Sequence, residues 1–85
     1  MFTGSQMTLT RLQTGKSAVI LQIAAGHGFI NRLNALGIIP GKRITKISTM
    51  LMGGPVTIQI DRSWIALGHN MASRIIVQPD YSEKQ

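Results

Sequence analysis

The chain has 85 residues, 44% of them hydrophobic and none of them cysteine. That is enough for one domain with a single core, and it excludes disulfides and thiolate metal sites. Nine Lys and Arg against three Asp and Glu give a net charge of +6. No apolar run approaches the roughly 20 residues that a membrane-spanning helix needs.

Met1 to Gln6 lacks the basic region and apolar segment of a secretory signal and reads as a disordered leader. Leu9 and Leu12, three apart, belong to a turn or extended lead-in that drops two leucines onto the core. Ser17 to Ala24 is rich in β-formers and reads as a strand. Its apolar residues run too continuously for simple alternation. A bulge near Leu21-Gln22 would let Ile20 and Ile23 both face inward.

After the loop Ala25-Gly26-His27-Gly28, the spacing of Phe29, Leu33 and Leu36 predicts a short helix over Phe29 to Leu36. Gly37 offers the left-handed residue that ends a helix cheaply. Pro40 biases Ile39 toward an extended conformation, and Gly41 frees the backbone for a turn. Lys42 to Ser48 is the second strand. Thr49 to Pro55 is a loop carrying Met50, Leu51 and Met52.

Val56, Ile58 and Ile60 alternate with Thr57, Gln59 and Asp61, the cleanest period of two in the chain. Trp64 to Leu67 and Arg74 to Gln78 are the last strands. Gly68 to Ser73 lies between them as one helical turn with Ala72 inward. The polar tail, 79–85, begins at the strand-ending Pro79. The fold class is therefore mainly β: a partly open antiparallel barrel of about five strands with a short helix after the first.

The core is assigned to Leu9, Leu12, Ile20, Ile23, Phe29, Leu33, Leu36, Ile44, Val56, Ile58, Ile60, Ile65, Leu67, Ile75 and Val77. Val19, Leu21, Ile38, Ile39, Met50, Leu51, Met52, Trp64, Met71 and Ile76 are left over. A barrel this small cannot bury them all, and a connected exposed patch marks an interaction site.

Asp80, Glu83 and Lys84 fall in the last six residues, which leaves Asp61 as the one carboxylate against eight bases in the rest of the chain. Paired-carboxylate acid–base chemistry has no basis here. The serines and two histidines form no nucleophile elbow, and no Walker-type phosphate loop is present, so the chain is not read as an enzyme. His27 and His69 are the two imidazoles. A hard cation would want carboxylates around them, so metal there would be adventitious or shared between molecules. Met50 and Met52 suit adaptable contact better than a soft-metal pathway. No cofactor is expected. Single-strand binding would need exposed aromatic residues for stacking; Trp64 is the only candidate, and it reads as a partly buried barrel residue.

The order of landmarks is more specific than any one of them. Leu9, Leu12 and Gly15 precede Ala18 and Ile20; then come Arg32-Leu33, Leu36-Gly37, Pro40-Gly41 and Ile44; then Gly54-Pro55, Ile58, Ile60, Ile65-Ala66-Leu67, Ala72, Ile75 and Val77. This set resembles the ferrous iron transport protein A (FeoA) family across residues 7–78. Two departures stand out. Gly68 to Ala72 lacks the charged residues that many relatives carry, and Lys46 falls where an apolar residue is usual.

The resemblance implies an SH3-like barrel over 7–78 and a cytoplasmic accessory role at the inner face of the cell membrane. The implied partner is a membrane ferrous iron transporter with a GTPase domain (FeoB type), with weak homo-oligomerisation also open. The same fold implies an alternative: a nucleic-acid-binding or regulatory module like the C-terminal domain of metal-dependent repressors.

The partner-binding candidates are Arg32, Leu33, Ile38, Ile39, Met50, Leu51 and Met52, with Leu33 at the boundary of core and contact surface. Arg32, Lys42, Arg43 and Lys46 would steer toward an acidic partner or lipid surface. Arg32 is either a finger acting on the transporter's GTPase centre or a helix-surface arginine favoured by the macrodipole.

Overall fold

Residues 6–49 and 54–80 are described by the structure, a computed structural model. The leader before Gln6, the Met50–Leu51–Met52 run and the tail beyond Asp80 lie outside the described residues. In chain order the elements are β1 (Met7–Thr8), a 3-10 turn (Leu9–Arg11), β2 (Ser17–Ile23), α1 (His27–Ala35), β3 (Arg43–Thr49), β4 (Val56–Ile60), β5 (Ser63–Leu67), α2 (His69–Ala72) and β6 (Ile75–Pro79).

The strands form one antiparallel sheet in the order β1-β6-β2-β3-β4-β5, open between its edge strands β1 and β5. The expected mainly-β architecture holds, with six strands in place of five. The added one, β1, pairs only Met7 with Val77 and Thr8 with Ile76. Two residues are too few for a period of two to appear in the sequence.

Alternation places the core. Val56, Ile58 and Ile60 on β4 and Ile75 and Val77 on β6 are buried, while the residues between them are half-buried. Each such side chain contributes about 1.5–3 kcal/mol by leaving water. In β2 the register against β6 shifts between Ile20 and Gln22. Leu21 is the extra residue, so Ile20 and Ile23 both reach the core, as the uninterrupted apolar run requires. Ala72 on α2 is fully buried.

The end of α1 is a Schellman turn. Leu36 is the C-cap, and Gly37 follows at φ 90°, a conformation glycine adopts without steric cost. The Gly37 amide donates to the Asn34 carbonyl at 2.9 Å, and the Ile38 amide donates back to the Leu33 carbonyl at 3.0 Å. The two ends of α1 correct three assignments. Leu36 is exposed, because the helix has already ended and the chain turns away beneath it. Ile38, expected at the start of an exposed groove, is fully buried in the core cluster. Phe29 is only half-buried; α1 begins two residues earlier than predicted, and Ile30 packs on the core instead. Ile65 is half-buried against the same core.

Candidate partner-binding surface

The Schellman turn sorts the residues around it into two sets. Leu33 and Ile38 face the core and are fully buried, whereas Leu36 and Ile39 face outward at 45% and 38% exposure. Past Ile39, the Gly41 amide donates to the Ile20 carbonyl at 2.7 Å, and the Ile20 amide donates to Lys42 at 2.8 Å. Gly41, at φ 94°, permits this close turn into β3. The two bonds tie the helix–strand joint to β2 at its bulge, where Leu21 is 37% exposed.

Leu21, Leu36 and Ile39 therefore flank one junction, and they are three of the four large hydrophobic residues exposed among the described residues. The fourth, Trp64, projects from edge strand β5 at 66% exposure, against the expectation that it is partly buried. Arg32 is exposed in the last turn of α1, where its charge complements the helix dipole.

The structure thus keeps Arg32 and Ile39 at the surface and removes Leu33 and Ile38 from it. Leu36 and Leu21 join the patch instead. The signal for Leu36 was present in the Leu-Gly pair itself: a C-cap just before a left-handed glycine is no longer on the helix's buried stripe. Leu21 follows from the predicted bulge.

The basic residues divide as well. Lys42 donates to Asp61 at 2.7 Å, and Arg43 pairs with Asp80. Both ion pairs lie at the surface, where each is worth about 0–1 kcal/mol.

Lys46, expected to steer a partner, is instead buried at 2% exposure. Pairing opposite Ile58 puts it on the core side of β3. Its ammonium donates to the carbonyls of Leu9, Thr10 and Leu12 at 3.2, 3.0 and 2.7 Å. Its backbone accepts from the Gly15 amide at 2.7 Å and donates to the Lys16 carbonyl at 2.9 Å. One residue thus fixes the whole segment from Leu9 to Lys16. Desolvation by burial pushes the Lys46 ammonium below the ordinary lysine range.

His27 and His69 each open a helix, α1 and α2, and both are exposed. The two helix starts meet at a cavity of about 320 Å³ lined by Gly26, Gly28, Asn70 and Arg74 but by neither histidine. Among the described residues no three His, Asp or Glu side chains converge on a common point for metal. The Arg74 guanidinium lies over the Phe29 ring, 5.5 Å from its centroid. No described helix is long and apolar enough to cross a membrane.

Comparison with known proteins agrees with this architecture. Over 71 residues the chain is 32% identical to the Fe(2+) transport protein A assigned in Campylobacter jejuni subsp. jejuni, covering 84% of this chain and 96% of that protein. It superposes on a zinc-complexed FeoA of Stenotrophomonas maltophilia, an SH3 domain protein, with a TM-score of 0.73 at 28% identity. That match covers 85% of this chain and 89% of the other. A manganese-dependent transcriptional repressor shares the fold, with a TM-score of 0.82 at 20% identity, over 93% of this chain and 44% of the repressor. The family model of the FeoA domain matches residues 7–79, and the chain belongs to the FeoA domain family.

Proposed function

We propose that this chain is a non-enzymatic cytoplasmic accessory protein of ferrous iron uptake, which binds a membrane Fe(II) transporter of the GTPase type and modulates its activity. Family membership supports the association with iron transport. The Stenotrophomonas maltophilia relative is itself described as a candidate activating factor for bacterial ferrous iron transport. The observation that carries the contact is the outward-facing apolar junction of Leu21, Leu36 and Ile39 beside Arg32. Such a patch gives affinity through apolar anchors, while the exposed Arg32 charge raises the rate of encounter with an acidic face. Met50, Leu51 and Met52 extend the proposed contact surface on sequence grounds.

The chain needs no cofactor for this role, and metal at His27 or His69 is incidental to it. The test is ferrous iron uptake in cells that lack the native chain and carry the transporter. Wild type restores uptake, and a Leu36→Asp, Ile39→Asp double variant of equal abundance does not. Equal restoration by the double variant would remove this surface from the function.

A further inference from the structure

A second surface lies away from the helix–strand joint, where the lead-in meets the last strand. A groove of about 370 Å³ opens there, within the range of ligand pockets (about 300–1,000 Å³). Met7, Leu12 and Pro79 supply its apolar walls, and Arg11, Gln13 and Lys16 its polar rim. Arg11 and Lys16 are exposed, and neither has a carboxylate partner among the described residues. The one acid among the groove's described lining residues, Asp80, is already paired with Arg43. Among the described residues, the groove therefore presents two cations without a carboxylate partner over an apolar floor. Its wall is tied to the core, because Lys46 donates to the carbonyls of Leu9, Thr10 and Leu12.

We propose that this groove binds an acidic, leucine-bearing peptide segment of a partner protein, independently of the junction formed by Leu21, Leu36 and Ile39. The apolar floor takes one aliphatic side chain. Arg11 and Lys16 take carboxylates on either side of it, and the Gln13 amide matches a peptide backbone. Nucleic acid fits less well, since among the described residues no aromatic side chain lines the groove and its walls are apolar. A lipid surface would call for a flat basic face rather than a recess.

The test is fluorescence anisotropy on the full chain with a labelled seven-residue peptide alternating glutamate with leucine. Micromolar binding is expected. It should weaken about tenfold when glutamine replaces glutamate or alanine replaces leucine, and about tenfold again for Arg11→Glu, Lys16→Glu protein. Arg62→Glu, on the β4–β5 turn, serves as the charge control and should bind nearly as well as wild type. A ¹⁵N spectrum of each variant checks the fold. In wild type, amide shifts on titration should centre on Arg11 to Lys16.

The proposal is overturned by absence of binding at millimolar peptide, or by equal binding of the Arg11→Glu, Lys16→Glu and wild-type proteins. Preference for a DNA oligonucleotide or for phosphatidylglycerol vesicles would also overturn it. Binding that appears only after deletion of 81–85 would assign the groove to the chain's own tail. Self-association abolished by the double variant would assign it to a second copy. Either of these results would contradict the partner peptide.

Discussion

The amide of Ile38 donates to the carbonyl of Leu33 across the end of α1, and both side chains are buried in the same core cluster. This one bond decides which residues of the joint are structural and which are free. By pulling Ile38 inward it leaves Leu36 before it and Ile39 after it at the surface. Fold and proposed contact thus share a turn without sharing side chains.

Replacing Gly37 tests the turn. At φ 90° an L-residue is strained whatever the space around it, and no atom beyond the adjacent residues lies within 4 Å of the added Cβ, so the effect is one of backbone conformation. Gly37→Ala should destabilise the domain by about 1–2 kcal/mol in urea unfolding. Leu33→Ala, which opens the core, should cost about 2–5 kcal/mol. Leu36→Ala should stay within about 0.5 kcal/mol of wild type. A large loss from Leu36→Ala would contradict its assignment to the surface.

Lys46 gives a prediction in both magnitude and pH. Lys46→Met keeps the volume but leaves three backbone carbonyls without their donor, a loss of about 1–3 kcal/mol near neutral pH. Burial lowers the folded-state pKa, so just below the ordinary lysine value of about 10.4 the unfolded chain holds more protons than the folded one. The contribution of Lys46 to stability therefore rises with pH through that window. Urea midpoints of wild type and Lys46→Met should diverge further between pH 8 and pH 10. Convergence would show that burial does not disfavour the charged lysine.

Much of this was legible in the chain. The period of two in Val56–Ile60 set the inward face of β4, and the unbroken apolar run of β2 implied the bulge that the register shift at Leu21 contains. Leu-Gly-Ile-Ile-Pro-Gly marked a helix end and a strand start. What the pattern hid was depth. Helical spacing assigned Leu36 to the core because it counts residues on a stripe and ignores where the helix stops. Lys46 reads as a solvated charge unless its place in the alternation with Ile44 is given more weight than its polarity, since a buried ammonium needs acceptors drawn from another part of the chain. Those acceptors, carbonyls of the 3-10 turn and its C-cap Leu12, come from a segment more than thirty residues away. β1 owes its existence to β6, not to any propensity of Met7 and Thr8.

The histidines should not matter to partner contact. They sit at the starts of two helices with no described carboxylate cluster beside them. His27→Ala, His69→Ala protein is expected to restore ferrous iron uptake as wild type does. Loss of uptake with an intact fold would promote them to functional ligands.

The exposure of Trp64 and the net charge of +6 make oligonucleotide binding the alternative to exclude. Binding through phosphate contacts would fall steeply with salt. No retention on a DNA resin at 150 mM salt is expected. Retention lost on Trp64→Ala would favour the regulatory module instead.

The most direct measurement is the affinity of the intact chain for the proposed partner, the membrane ferrous iron transporter in detergent, compared with its isolated GTPase domain, by biolayer interferometry. The Leu36→Asp, Ile39→Asp variant, verified as folded, is expected to bind at least about tenfold more weakly than wild type, a difference of about 1.4 kcal/mol. Equal affinity of the two proteins, or no binding of wild type to either form of the transporter, would contradict the account.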